Sequence, residues 1–170
     1  MPYNTAMPLR RVAVLGGSDP AARAEHFDAA SELGRLLVEQ GISVALEGSP
    51  EGPAGALATS LEAANGRLLR VARHELGLQA DGFVALPGGP ATLEELLDIC
   101  LDASIPGGKP CGLLNTADYF TELLKTVSDG VVERFVRETQ RGRLSVQRDP
   151  AELLRAIADF RPPETRRQSL

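Results

Sequence analysis

The chain has 170 residues, 43% of them hydrophobic and 24% charged, which is the composition of a globular protein with room for one sizeable core. Its formal net charge of −5 argues against a dedicated nucleic-acid-binding protein, because such proteins need a basic surface. No apolar run approaches the ~20 residues of a membrane-spanning helix, and the first residues lack the apolar centre of a signal peptide, so we expect a cytoplasmic protein without membrane contact.

Short apolar segments alternate with segments of helical periodicity along the chain. The apolar segments, typical of strands buried on both faces, are 11–15, 42–46, 68–71, 83–86, 111–114 and 144–147. Helices are predicted over 20–40, 54–64, 92–101, 119–127, 131–139 and 151–160, and residues 72–81 are a short helix or a loop. This alternation predicts right-handed β–α–β units. We therefore expect an α/β fold, a Rossmann-like three-layer sandwich with a central, mostly parallel sheet and helices on both faces.

The two ends of the chain differ in composition from its middle. Residues 1–10 are predicted to form a flexible arm, and the Pro- and Arg-rich residues 161–170 a disordered tail. No internal repeat divides the remainder. Residues 11–160 are therefore expected to fold as a single Rossmann-like domain.

Three Gly-rich turns, at 16–19, 48–52 and 88–91, each follow a predicted strand. Ligands of open α/β sheets bind beyond the carboxyl ends of the strands, where these turns are expected to lie. The third turn leads into a helix, and Thr92 followed three residues later by Glu95 predicts a capping box with Thr92 as the N-cap. Free N–H groups and the helix dipole make such a terminus a phosphate site.

Residues 87–95 read Pro-Gly-Gly-Pro-Ala-Thr-Leu-Glu-Glu, which resembles the Pro-Gly-Gly-x-Gly-Thr-x-x-Glu signature of the LOG family. That family includes the cytokinin riboside 5′-monophosphate phosphoribohydrolases, long mislabelled as lysine decarboxylases. The resemblance covers roughly residues 11–160 and departs within the signature only at Ala91, which replaces a glycine. It implies a nucleotide-binding domain that hydrolyses the N-glycosidic bond of a nucleoside 5′-monophosphate to a free base and ribose 5-phosphate.

The resemblance also implies which residues form the site. By motif position Glu95 is the catalytic carboxylate, and an oxocarbenium-like transition state needs such a group near the anomeric carbon. Three roles are open for it: holding ribose hydroxyls, stabilising the cation or orienting water. The expected phosphate- and ribose-binding residues are Gly88, Gly89, Ala91 and Thr92 in the third turn and Gly16, Gly17 and Ser18 in the first.

Two segments depart from the family pattern. The second loop, usually Gly-Gly-Gly-x-x-Gly-Leu-Met-Gly, spans 47–55 here and contains two glutamates, Glu47 and Glu51. The family's substrate-binding arginine falls on Ala72 and its lysine on Arg73, so Arg73, or Arg70 before it, is the candidate replacement. These departures leave two other functions open. One is a non-catalytic protein that binds a nucleotide or another phosphorylated small molecule, and the other is an enzyme for a different substrate.

Metal, redox and pyridoxal chemistry are not indicated. The two histidines, His26 and His74, lack metal-ligand spacing. The cysteines form no Cys-x-x-Cys pair and are interpreted as buried free thiols. The two lysines lie in no motif that suggests a Schiff base. We expect no metal and no cofactor. Family members are usually homodimers, and a predicted apolar helix face is a candidate interface or core surface: Leu93, Leu97, Leu101 and Ile105.

Overall fold

Six parallel strands form one sheet in the part of the chain that the computed structural model describes, which is residues 8–48, 51–101 and 108–162. The strands are β1 (Arg11–Leu15), β2 (Ser43–Glu47), β3 (Leu68–Val71), β4 (Gly82–Ala85), β5 (Cys111–Leu114) and β6 (Leu144–Gln147). Their order across the sheet is β3-β2-β1-β4-β5-β6. The chain therefore reverses its direction of travel across the sheet between β1 and β4, which is where ligands of such sheets bind.

Helices cover both faces of this sheet. They are α1 (Ala24–Glu39), α2 (Gly52–Ala63), α3 (Leu76–Gln79), α4 (Pro90–Cys100), α5 (Thr121–Val132), α6 (Glu138–Arg141) and α7 (Pro150–Ala158). Alternate residues of each strand point to opposite faces. In β1, Val12 and Val14 join a hydrophobic cluster with α1, α2 and α7, whereas Ala13 and Leu15 join a second cluster with α3, α4 and α5. The predicted Rossmann-like three-layer sandwich is confirmed.

Two local predictions are wrong. Helix α4 begins at Pro90 with Gly89 as its N-cap, so Thr92 lies in the first helical turn and forms no capping box with Glu95. Proline with its fixed φ suits this first position. The predicted break between the helices over 119–127 and 131–139, where Gly130 lies, is absent, because α5 runs on to Val132 and the side chain of Val136 packs beside the glycine.

The cysteine prediction is also wrong for the residue that the structure describes. Cys111 takes part in a disulfide bond. Disulfide formation depends on tertiary proximity, which a local sequence pattern does not report.

The ends of the chain fall largely outside the description. Residues 1–7 and 163–170 are not among the described residues, and they include most of the predicted arm and tail. Among the helices that are described, none has both the length and the apolar character needed to cross a membrane.

Candidate functional site

A cavity of about 250 Å³ opens at the carboxyl edge of the sheet, beside the β1–β4 reversal. The ends of β1 and β2, the first turns of α2 and α4, and the segment after β3 surround it. Its lining residues are Val14, Leu15, Gly16, Ser18, Leu46, Glu47, Ala54, Arg73, Leu76, Ala91, Thr92 and Glu95. Six of the nine residues singled out in the sequence are in this wall: Gly16, Ser18, Arg73, Ala91, Thr92 and Glu95. The fold therefore brings together three segments that are distant in sequence.

Thr92 sets the spacing between the loops after β1 and β4. Its side chain is buried, with 8% of the residue exposed. A Cβ on Gly16 would lie 2.3 Å from Thr92 Cγ2, and a Cβ on Gly88 would lie 2.3 Å from Thr92 Oγ1. Gly16 also has a φ of +76°, in the left-handed region. Both glycines are therefore needed for the close approach of these loops.

The three remaining residues, Gly17, Gly88 and Gly89, shape the cavity without lining it. The Gly17 carbonyl accepts a 2.8 Å hydrogen bond from the N–H of Ala54, which joins the first loop to α2. The Gly88 carbonyl accepts a hydrogen bond from the hydroxyl of Tyr119. The N–H groups of Gly88, Gly89 and Ala91 have no acceptor among the described residues. This turn therefore keeps the free donors that an anion requires.

Glu95 projects from α4 into the cavity wall and is 9% exposed. Arg73 lies in a short 3₁₀ turn after β3 (Arg73–Glu75), and its Nη2 atom is 3.4 Å from Glu95 Oε2. The same nitrogen donates to the carbonyl of Ala91 at 3.2 Å. The second oxygen of Glu95, Oε1, is buried and has no hydrogen-bond partner in the described part of the chain. A ligand that enters the cavity therefore meets an unpaired carboxyl oxygen.

Burial raises the pKa of the Glu95 carboxyl above its ordinary value. The hydrogen bond and the charge of Arg73 act in the opposite direction without cancelling the increase, and the charge of Glu47 adds to it. The pKa of Arg73 is raised, chiefly by its hydrogen bond to Glu95 and then by that carboxylate's charge. Glu95 therefore takes up a proton more readily than a solvated glutamate does.

Of the two candidate arginines, Arg73 lines the cavity and Arg70 does not. Arg70 instead donates to the carbonyl of Gly48 at 2.9 Å and lies 3.7 Å from Glu62. The two glutamates of the second loop also differ. Glu47 is in the cavity wall, whereas Glu51 is the exposed N-cap of α2 and lies outside that wall.

The contact of Tyr119 with Gly88 had no signal in the sequence, because Tyr119 lies 31 residues away and belongs to no motif. No group of three or more His, Cys, Asp or Glu residues within the described ranges is arranged to hold a metal ion.

Comparison with known proteins identifies a family model and individual relatives that each match more than half of this chain. The family model described as "Possible lysine decarboxylase" matches residues 61–157. A rice protein (Oryza sativa subsp. japonica) named probable cytokinin riboside 5′-monophosphate phosphoribohydrolase LOGL5 is 31% identical over 94% of this chain and 76% of its own length. Cytokinin riboside 5′-monophosphate phosphoribohydrolase LOG2 of Arabidopsis thaliana is 28% identical over 93% and 87%, respectively.

Solved structures share the fold at lower sequence identity. The molybdenum cofactor carrier protein of Chlamydomonas reinhardtii is 18% identical, covers 88% of this chain and 96% of its own, and superposes with a TM-score of 0.66. The molybdenum cofactor binding protein of Rippkaea orientalis is 17% identical over 89% and 98%, with a TM-score of 0.64. These two likenesses concern the fold alone. The family match and the rice relative, together with the signature at 87–95, show that the chain belongs to the LOG family, whose model carries the description of a possible lysine decarboxylase.

Proposed function

We propose that this protein hydrolyses the N-glycosidic bond of a nucleoside 5′-monophosphate, giving a free base and ribose 5-phosphate. One observation carries the proposal: a buried glutamate, Glu95, has an unpaired oxygen in the wall of a cavity that also holds the N-terminal turn of α4. The rice and Arabidopsis relatives are named for the same reaction on cytokinin riboside 5′-monophosphates. They support the reaction class.

The phosphate is proposed to bind at the N-terminus of α4. The free N–H groups of Gly88, Gly89 and Ala91 are suitable donors there, and the helix dipole adds partial positive charge. Ser18 and Thr92, also in or beside the cavity wall, supply hydroxyl groups for the phosphate or the ribose. The ribose would then lie next to Glu95.

Glu95 is proposed to act as the general acid. Its raised pKa favours the protonated carboxyl, which can donate its proton to the departing base. The electron pair of the bond between C1′ and nitrogen leaves with the base, and a water molecule adds to C1′ and returns a proton to Glu95. Arg73 is proposed to hold Glu95 in position through the 3.4 Å contact.

A second candidate function, a non-catalytic phosphate-binding carrier, is favoured by one specific observation. Arg73, the arginine of the cavity wall, already contacts Glu95 at 3.4 Å and donates to the carbonyl of Ala91 at 3.2 Å. Its guanidinium is therefore engaged within the protein, and this arrangement favours binding of a ligand over a reaction that needs a free arginine beside the substrate. The carrier would retain a ligand through the α4 terminus without turning it over.

The experiment that separates the two functions is an assay of free-base release from a panel of nucleoside 5′-monophosphates. Glu95→Gln is tested in parallel, with Glu94→Gln as the matched control because Glu94 is the exposed neighbour on the same helix and lies outside the cavity wall. Hydrolysis is expected in the wild type and in Glu94→Gln, with a loss of about 10²-fold or more in Glu95→Gln.

The binding function would be favoured by the opposite result. In that case no nucleotide releases a base, but one or more of them raise the melting temperature of the wild type. If no nucleotide releases a base and none raises the melting temperature, both functions are excluded for this class of ligand.

A further inference from the structure

We propose that Glu47 is a second catalytic carboxylate, which stabilises the positively charged ribose as the glycosidic bond breaks and weakens the binding of the phosphate at the same time. This role rests on the proposed hydrolysis of a nucleoside 5′-monophosphate. It concerns a residue at which the chain departs from its family, since the second loop of the family usually has a glycine at this position.

The fold brings Glu47 into the same cavity as Glu95 and Arg73. Glu47 is the last residue of β2, and it pairs in register with Val71 of β3, two residues before Arg73. All three charged residues line the cavity. The side chain of Glu47 is exposed and has no hydrogen bond or ion pair with any described residue. It is therefore free to face a ligand.

Electrostatic coupling shows that the three groups act on one another. The charge of Glu47 contributes to the raised pKa of Glu95, and it also contributes to the raised pKa of Arg73. The cavity thus holds two carboxylates and one guanidinium. A second observation indicates that this acidic cavity accepts a ligand: Glu95 is nine-tenths buried and its Oε1 atom has no partner among the described residues.

The different environments of the two carboxylates suit different tasks. Hydrolysis at an anomeric carbon uses one protonated carboxyl as the acid and one ionised carboxylate that faces the developing cation. Glu95 is buried and is the better candidate for the protonated acid, whereas Glu47 lines the cavity with an exposed side chain and is the better candidate for the carboxylate that faces the cation.

In the proposed step, Glu95 gives its proton to the base, which leaves with the bonding electron pair. The ribose carries positive charge at C1′ opposite the Glu47 carboxylate until water adds there, and the water's proton goes to Glu95. Glu47 keeps its charge throughout.

The same charge has an opposite effect on phosphate binding. A phosphate monoester is a dianion near neutral pH, and a carboxylate in the wall repels it. Replacing Glu47 with the neutral, isosteric glutamine is therefore expected to slow the reaction and to tighten the binding of a phosphorylated ligand. Replacing a residue with only a structural role would instead weaken both catalysis and ligand binding, or would change neither.

The test compares Glu47→Gln with the wild type and with Glu51→Gln, which removes the same charge from an exposed residue four positions away and outside the cavity wall. Base release gives kcat, and calorimetry with ribose 5-phosphate gives Kd. We expect kcat of Glu47→Gln to fall about 10²-fold, with Kd for ribose 5-phosphate lowered about two- to tenfold. Glu51→Gln should keep both wild-type values, and uncharged ribose should bind Glu47→Gln no more tightly than it binds the wild type.

Failures of the two proposals can be told apart. Wild-type release of a base together with an unchanged kcat in Glu47→Gln would overturn the role of Glu47 and leave the hydrolase intact. An equal loss of kcat in Glu51→Gln would also overturn it, because the effect would then be a general one of charge at this edge. If the wild type releases no base from any nucleotide, both proposals fail.

Discussion

Glu95 is held between two opposing influences. Burial disfavours its ionised form, while Arg73, whose side chain is 48% exposed, favours it from a distance of 3.4 Å. The exposed guanidinium is screened by water, so its attraction is smaller than a buried pair would give. The balance leaves the pKa of Glu95 above its ordinary value. The residue proposed as the general acid therefore also costs the folded state some stability at neutral pH.

This cost predicts a pH-dependent difference between the wild type and Glu95→Gln. Because the folded state holds the proton of Glu95 more tightly than the unfolded chain does, the wild type loses stability as the pH rises from about 4.5, the unfolded value, through the raised folded pKa. Glutamine carries no titrating proton. The free energy of unfolding of Glu95→Gln, relative to the wild type, should therefore increase across this interval, as measured by urea unfolding at several pH values. A relative stability that falls as the pH rises would mean that the ion pair with Arg73 outweighs burial.

Much of the site could be predicted from sequence at the level of single residues, because Thr92 and Glu95 belong to one contiguous signature and so have a fixed spacing on one helix. The cavity also depends on Glu47, the last residue of β2, and on Arg73, which follows β3. Their position beside α4 depends on the order of the strands across the sheet, and apolar periodicity predicts that strands exist without giving that order. The sequence thus identified Glu47 as a departure but did not predict that it faces Glu95.

At the scale of elements, helices α1 and α2 approach each other closely, and Gly34 permits this approach. A Cβ on Gly34 would lie 2.6 Å from the carbonyl oxygen of Leu57, a backbone atom of α2 that cannot turn away. Gly77 in α3 is the opposite case, because a Cβ added there would have no atom within 4 Å. Both glycines occur in helices, but only Gly34 has close neighbours. Substitutions at the two positions can therefore be compared directly.

Alanine at these two positions is expected to have opposite effects. Gly77→Ala should raise the free energy of unfolding by about 0.5–1 kcal/mol, because alanine restricts the unfolded chain and favours a helix. Gly34→Ala should lower it by about 1–3 kcal/mol, because overpacking against α2 exceeds the same gain. Chemical denaturation of the two variants and the wild type measures both changes. Stabilisation by Gly34→Ala would show that α1 and α2 can move apart at little cost.

The bounds of the strands could be predicted from local sequence patterns. Each strand was predicted to within one residue, since each is a short apolar run buried on both faces, as Val12 and Ala13 are in β1. The last helix was predicted over 151–160 and is observed as α7, in which the N-cap Asp149 accepts a 2.9 Å hydrogen bond from the N–H of Glu152. Gly130 misled the prediction because the intrinsic cost of a helical glycine is only about 1 kcal/mol, which tertiary packing can offset.

At the scale of the whole molecule, α4 links the site to the surface. Its N-terminal turn and Glu95 border the cavity, and Leu96 is buried in the second hydrophobic cluster. Leu97 is 41% exposed, whereas Leu93 and Leu101 are partly buried against the second hydrophobic cluster. Ile105, the fourth residue of the predicted apolar face, lies outside the described residues. An exposed leucine between two half-buried ones on a site helix suits an interface with a second copy of the chain.

We predict that the protein is a homodimer in solution and that Leu97→Asp gives a monomer, because two carboxylates would face each other across a symmetric, apolar interface. Light scattering coupled to size-exclusion chromatography should give twice the chain mass for the wild type and one chain mass for the variant. Val132→Asp is the control, since it introduces the same charge at a more exposed apolar residue of α5, 78% exposed, and should remain dimeric. If both variants dissociate, the interface is not confined to α4. A monomeric wild type would contradict the prediction.

The same variant also tests whether the site needs the dimer. If Leu97→Asp is a folded monomer that has lost base release, the cavity depends on the second copy of the chain, because Leu97 itself lies outside the cavity wall.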